Sequence, residues 1–516
     1  MISKFSLINK AVVAVLATLL IGHASATVVP AISIPPVGAK GFPFMSSGLD
    51  LAAYGYTENE FFIGGMAQAY VNDGDFGSDG KWNAKPNAGA IAPYKTRLLV
   101  RSPAPDKFNG TVIVEWMNVS AGMEVTPDWT MAQVELLREG YAYVGVAAQY
   151  LGVDFDRSWD GVRYASLQHP GDSFSYDIFS QAGEAILHPR DGEPKPLGDL
   201  TPAIHALIAD GESQSAARML TYVNAIHPIN PVYQGFLIHS GSRGEDLSQT
   251  SAAKVIAKFF KTIDARADIP KTEKIDVPGV AKVFIRDDIK APVLIVNSEA
   301  DVNGWFGYPG FRQQADSATF RMWELAGTAH ADQYVFDAGK ADGIKSNATF
   351  PIECGGAPIN RGPQTYAMRA AIHALNQWVR TGEPAPSGPH LQTDGHSLVR
   401  DAVTGIVTAG IKLPQVAVPI ETLSGRRPLR SIFKSPFCIL FGASDPWNGD
   451  SDAWDGKWLM DPSPNPEPDI HTLYPTKKDY LDKFSAALDA SITAGFVRPA
   501  DRDEIYQHAQ AVDLWK

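Results

Sequence analysis

The chain has 516 residues, 45% of them hydrophobic and 20% charged, which is the composition of a globular protein with a large core and excludes a disordered or fibrous one. Its formal charge of −12 argues against nucleic acid or an anionic membrane as a partner. No His/Cys grouping has zinc spacing and no glycine-rich phosphate loop is present, so the sequence calls for no metal or organic cofactor.

In chain order, Lys4 and Lys10 precede a short apolar run over 11–22, followed by Ala24-Ser25-Ala26. A positive flank, a short apolar core and small residues before the cut describe a secretory signal peptide over 1–26. The alternative, a membrane anchor, is disfavoured because the run is too short to span comfortably. Cleavage removes the two lysines and takes the charge from −12 to −14. The expected location is therefore periplasmic or extracellular, with no membrane association after cleavage.

Residues 27–60 are rich in Pro, Gly and Ser and read as an extended arm. From 61 to 384 short apolar runs alternate with helical patterns. The predicted strands are 61–70, 95–101, 111–116, 142–148, 204–209, 235–239, 293–297 and 320–325. The predicted helices are 128–138, 214–226, 308–315 and 364–380. This alternation implies an α/β fold, with a mostly parallel sheet and helices on both faces. Cap-like inserts are expected at 150–200 and 241–291, the second with a helical stretch over 252–261. Both leave the carboxyl ends of strands, where ligands bind in such sheets. Residues 385–516 read as an elaboration packed on this core, with a hairpin near 401–405 and terminal helices near 477–493 and 500–513.

The segment "DGESQSA" over 210–216 lies between the 204–209 strand and a good helix. Gly-x-Ser occurs five times, ending at Ser173, Ser213, Ser397, Ser444 and Ser451, so the motif alone carries little. Only Ser213 has the strand-to-helix context that pushes a hydroxyl out of the sheet edge toward a helix N-terminus. The usual second glycine is replaced by Ser215, which is also small.

A serine hydroxyl needs a base, and the base needs an orienting acid. "PVLIVNSEAD" over 292–301 is a strand ending in Glu299 and Asp301. "FRMWELAGTAHAD" over 320–332 is a strand followed by a loop with His330. Serine, acid and histidine thus follow three strand ends in the order Ser213, Asp301 or Glu299, His330. Asp301 is favoured for its position past the strand, and Glu299 stays open as the alternative acid. An oxyanion needs two backbone donors. These are expected at Gln214, directly after the serine, and in the loop "EWMNVSAG" over 115–122, near Asn118–Val119.

The segments "EWMNVSAG", "HPGDSFSYDIFSQAG", "GESQSA", "PVLIVNSEADV", "WELAGTAHAD", "INRGPQTYAMRAAIHALNQWVRTGEPAP" and "FCILFGAS" together resemble a family of bacterial alpha/beta hydrolase domain proteins. The resemblance runs from about residue 60 to the C-terminus. It implies the alpha/beta-hydrolase fold, with Ser213 as nucleophile and His330 as base. It leaves Asp301 against Glu299 undecided and gives no substrate.

The expected activity is carboxylic ester hydrolysis on a small-molecule ester. A non-catalytic binding protein, and an acyltransferase or peptidase using the same triad, are the alternatives. His169 to Ser173 is either part of the pocket mouth or an ordered loop. Trp305, Phe306 and Tyr308 are either a pocket lining or core. The acidic loops over 72–79 and 450–455 lack calcium-loop spacing. Cys354 and Cys438, an even pair in an exported chain, are expected to form a disulfide.

Overall fold

The computed structural model describes residues 27–241, 247, 283–303, 313–347, 354–355, 357–394, 397–427, 435–447 and 468–515. The expected signal peptide, the helical stretch over 252–261, Trp305, Phe306, Tyr308 and the 450–455 loop lie outside them. So does most of the predicted helix 308–315, whose described residues 313–315 are not helical.

Nine strands form one sheet: β1 (Ala31–Ser33), β2 (Tyr56–Asn72), β3 (Ala84–Pro103), β4 (Thr111–Trp116), β5 (Ala142–Val146), β6 (Ala206–Glu212), β7 (Gly235–His239), β8 (Val293–Ser298) and β9 (Phe320–Leu325). The order across the sheet is β1-β2-β3-β5-β4-β6-β7-β8-β9. From β5 to β9 every pairing is parallel, while β1, β2 and β3 add an antiparallel edge. The parallel strands read as unbroken apolar runs because both faces are covered. Val112, Val114 and Trp116 enter one core cluster and Ile113 the other, following the period-two alternation of a strand.

On the first face lie α3 (Ser175–Leu187) and α4 (Gln214–Thr221), which runs on into a π turn over Tyr222–Ile226. On the second lie α1 (Pro127–Glu139) and α7 (Gln364–Thr381). Between them in sequence come α2 (Tyr150–Trp159), α5 (Glu299–Asn303) and α6 (Gln333–Asp342), and the chain closes with α8 (Lys477–Thr493) and α9 (Arg502–Gln510).

The first expected insert is only partly an addition. Tyr176, Phe179, Ala182 and Ile186 of α3 are buried in the same cluster as Trp116 and Leu207, so the second half of 150–200 is core. α2 instead packs on the N-terminal arm, with Phe44 against Phe155 and Trp159. Arg97 of β3, fully buried, binds Glu60 at 3.0 Å, Asp156 of α2 at 2.6 Å, and Glu124.

The C-terminal residues share the core of the second face. Tyr480, Phe484, Leu488 and Ile505 pack in one cluster with Trp129, Leu136 and Leu375. Buried Asp501 accepts from Arg369 at 3.0 Å and from Arg138 at 2.8 Å, joining α9 to α7 and α1. The turn near 401–405 is present, with Arg400 bridging Val407 antiparallel. Two further strands, β10 (Glu421–Ser424) and β11 (Ala443–Pro446), pair antiparallel.

Cys354 and Cys438 are disulfide-bonded, with Cα atoms 5.6 Å apart across 84 residues of sequence. A loop of that length implies stabilisation of about 4 kcal/mol through the unfolded chain. Replacing both cysteines by serine is expected to lower the guanidinium midpoint by a corresponding amount. An equal midpoint for the wild type with and without reductant would contradict this. Among the described residues no helix is long and apolar enough to cross a membrane.

Candidate active site

β4, β6, β7, β8 and β9 are consecutive neighbours, and their carboxyl ends open on one edge of the sheet. β6 runs three residues further than the sequence suggests, so that Asp210, Gly211 and Glu212 are strand and Ser213 is the first residue beyond it. Ser213 has φ 59° and ψ −114°, a left-handed conformation that costs a non-glycine residue about 1–3 kcal/mol. It stands directly before the first turn of α4. Its N–H is fixed by the carbonyl of His239, the last residue of β7, at 2.9 Å.

The tightness of this turn explains its small residues. A Cβ at Gly211 would lie 3.0–3.2 Å from the Ser215 carbonyl and Cβ. Ser215 fills the place of the usual second glycine, and its hydroxyl donates to the Met117 carbonyl at 3.3 Å. That bond ties the turn to the loop after β4.

His330 follows β9, buried at 4% exposure. Its Nε2 is 2.9 Å from Ser213 Oγ, and its Nδ1 is 2.6 Å from Asp301 Oδ1. The other Asp301 oxygen accepts from the Ser298 N–H at 2.9 Å and its hydroxyl at 2.7 Å. Burial alone would raise the Asp301 carboxyl. The His330 imidazole and the Ser298 donor outweigh it and hold the group at about 2. An ionised Asp301 accepts a hydrogen bond from Nδ1–H, which keeps that proton on Nδ1 and leaves the Nε2 lone pair facing the Ser213 hydroxyl.

Glu299 is elsewhere. Its carboxylate accepts from Gly327 N–H at 3.0 Å, Arg400 at 2.8 Å, Ser424 Oγ at 3.0 Å and Gly425 N–H at 2.9 Å. Two residues apart on α5 are about 200° apart around the axis, so Glu299 and Asp301 face different sides. Glu299 joins the His330 loop to the C-terminal segment, and three more residues do the same. Ala326 N–H donates to Ile411, Ala331 N–H to Leu440, and Asn360 Nδ2 to Gly327 and Ser424.

The Asn118 N–H, expected as an oxyanion donor, is not left open. It is spent on the Val125 carbonyl at 3.0 Å. The Asn118 side chain donates to the carbonyl and the carboxyl of Glu212, both at 3.0 Å. Among the described residues no acceptor takes the N–H of Val119 or of Gln214, the latter an orphan of the first helical turn.

His169 does not reach this group. Its Nε2–H donates to Ala148 at 2.9 Å and its Nδ1 accepts from Gly171 N–H at 3.2 Å. Nearby Asp172 accepts from Tyr150 N–H at 2.8 Å, so 169–172 is an ordered loop fixed to the end of β5.

The residue missed from sequence is Glu212. Its Oε1 is 3.1 Å from His330 Nε2, the nitrogen that faces Ser213. An ionisable residue in the open position of Gly-x-Ser, inside a buried strand, is the signal that would have pointed to it.

Burial also raises other acids beside the site. Asp332 caps α6 through the Val335 N–H at 3.0 Å, and burial pushes it up to about 7. Both Asp210 oxygens lack a hydrogen-bond partner among the described residues. Burial first, then the charges of Asp128 and Glu115, raise Asp210 well above the carboxylate range. At these two positions the folded state thus binds more protons than the unfolded chain. This stabilisation is complete below pH 4 and lost as pH rises, through about 7 for Asp332, on the order of 4 kcal/mol for that group. The melting temperature is expected to fall from pH 5 to 7, and Asp332→Asn to flatten that slope. A slope unchanged by the substitution, in calorimetric scans across the range, would refute the assignment.

Residues 29–507 match a protein family described as alpha/beta hydrolase domain. No curated protein matches the chain at a significant level. Among solved structures, the chain is similar to a lidless alpha/beta serine hydrolase from Xanthomonas campestris, at 14% identity and TM-score 0.26 over 56% of this chain and 97% of that one. It is also similar to a thermostable esterase from Pseudomonas putida, at 14% identity and TM-score 0.25 over 58% of this chain and 72% of that one. A methylesterase aligns at 11% identity and TM-score 0.26 over 69% of this chain and 58% of that one.

Proposed function

The chain belongs to the alpha/beta hydrolase domain family, and from that membership we propose that it is an exported serine hydrolase cleaving carboxylic esters. The observation that carries this reading is the hydrogen-bonded line from Ser213 Oγ through His330 to Asp301. Export is supported by the N-terminal pattern of residues 1–26 and by the Cys354–Cys438 bond.

In this mechanism Ser213 Oγ attacks the ester carbonyl carbon as its proton passes to His330 Nε2. Asp301 holds the imidazole in the right tautomer and stabilises the imidazolium. The amides of Gln214 and Val119 hold the oxyanion. His330 then protonates the leaving alcohol, and the carbonyl re-forms as the acyl-enzyme. Water, deprotonated by His330, repeats the sequence and releases the acid and Ser213. No metal or organic cofactor takes part in this scheme.

A fluorophosphonate probe tests the reading directly. The mature protein is expected to be labelled once, and Ser213→Ala to abolish the label. A folded wild type that stays unlabelled would favour a non-catalytic binding role. A label that survives Ser213→Ala would place the nucleophile at another serine. A panel of esters, lactones and amides then separates ester hydrolysis from peptide cleavage, and an added alcohol acceptor reveals acyl transfer.

A further inference from the structure

Glu212 is the last residue of β6, 7% exposed, and both of its carboxyl oxygens are engaged. Asn118 Nδ2 donates to one at 3.0 Å and to the Glu212 carbonyl at 3.0 Å, which fixes the side chain at its root and its tip. The other oxygen lies 3.1 Å from His330 Nε2. Ser213 Oγ lies 2.9 Å from the same nitrogen. Two groups therefore converge on one lone pair, while Asp301 holds the opposite side of the ring at 2.6 Å.

We propose that Glu212 is a positioning residue that shares one proton with His330, and so sets the pH at which the imidazole becomes available to Ser213. This rests on Ser213 and His330 being the nucleophile and base. At 3.1 Å an ionised carboxylate facing an unprotonated Nε2 would set two lone pairs against each other. One proton between them removes the conflict, on either Glu212 or His330. With that proton on Nε2, His330 cannot accept from Ser213. With it on Glu212, the carboxyl donates to the lone pair that Ser213 needs.

The surroundings favour keeping that proton. Around Glu212 the charged and titratable groups are His330 from the loop after β9, Asp301 from α5, Asp128 from α1 and Glu115 from β4. Burial and the last three acids raise the Glu212 carboxyl well above its ordinary range, against the Asn118 hydrogen bond.

As pH rises the Glu212–His330 pair releases one proton to solvent, which leaves a carboxylate and a neutral imidazole. Ser213 Oγ then bonds to the acyl carbon, its proton moves to Nε2, and the imidazolium lies between two carboxylates, Asp301 on Nδ1 and Glu212 on Nε2. The leaving alcohol takes the Nε2 proton, and the pair returns to its starting charge. A carboxylate within 4–6 Å typically shifts its partner's proton affinity by one unit or more.

The test follows the rate of Ser213 labelling by a fluorophosphonate against pH, in wild type and Glu212→Gln. This readout needs no known substrate. The acid limb of the wild-type profile is expected to move down by about one pH unit in Glu212→Gln, and the plateau rate to fall because the imidazolium has lost its second carboxylate. A limb that stays within 0.2 pH units, with labelling still dependent on Ser213, would overturn the role of Glu212 and leave the nucleophile assignment intact. Absence of Ser213-dependent labelling in the wild type would instead overturn the nucleophile assignment. Should Glu212→Gln not fold, Glu212→Asp, which withdraws the charge by one methylene, carries the same test: a lowered limb supports the proposal and an unmoved one rejects it.

Discussion

Ser213→Ala is expected to lower kcat about 10⁶-fold on whichever ester the protein turns over, with KM little changed. The size of the loss follows from how the site is built. Ser213 is held in a strained left-handed conformation by the His239 carbonyl and the start of α4. That strain has no structural use unless the hydroxyl must stand clear of the sheet edge. Alanine keeps the turn and removes only the oxygen that His330 Nε2 faces at 2.9 Å. The melting temperature is therefore expected to stay within a few degrees of wild type. Turnover that falls less than tenfold in a folded variant would remove Ser213 from the reaction.

Asp301→Asn is expected to lower kcat about 10⁴-fold, because the amide donates where the carboxylate accepted and turns His330 to the wrong tautomer. Glu299→Gln should behave oppositely. Its carboxylate carries no bond to His330 and four bonds to Gly327, Arg400, Ser424 and Gly425. Losing that charge beside half-buried Arg400 is expected to cost about 3 kcal/mol of stability while leaving kcat within about tenfold. The pair is to be compared on a p-nitrophenyl ester and by denaturant unfolding. If Glu299→Gln alone collapsed turnover in the folded enzyme, the assignment of the acid would be reversed.

Much of this was legible in the residues, and the gaps have physical causes. The strands over 111–116, 235–239 and 320–325 stood out because each is a short apolar run closed by a loop. β6 was read three residues short because Asp210 and Glu212 are polar, although both are buried. The sequence shortens β3 because its outer half, with Lys85, Pro86, Asn87 and Gly89, carries no apolar alternation, and shortens β2 because its start holds the polar Thr57, Glu58, Asn59 and Glu60. α2 and α3 were missed because glycines and acids dilute their propensity. Packing of Phe155 and Trp159 on the arm, and of Phe179 on Trp116, overrides it.

Of the site, the serine, the histidine and the candidate acids were named from strand ends alone. The choice between Glu299 and Asp301 was decidable in principle, since two residues on a helix cannot face one imidazole. It needed the knowledge that α5 begins at Glu299. Asn118 against Val119 was not decidable, because it turns on a single bond to Val125.

The contacts around Glu299 carry a consequence for the order in which the molecule comes into being. Asp301 and His330 lie in the middle of the chain, but the bonds that hold their loops come from Arg400, Ile411, Ser424, Gly425 and Leu440. A nascent chain stopped before residue 400 has Ser213, Asp301 and His330 all made, and lacks every one of these bonds. Synthesis is vectorial, so the line from Ser213 through His330 to Asp301 is expected to close only when that late segment arrives. The same dependence means that the protein cannot be trimmed to a minimal sheet-and-helix core and still hold its histidine in place.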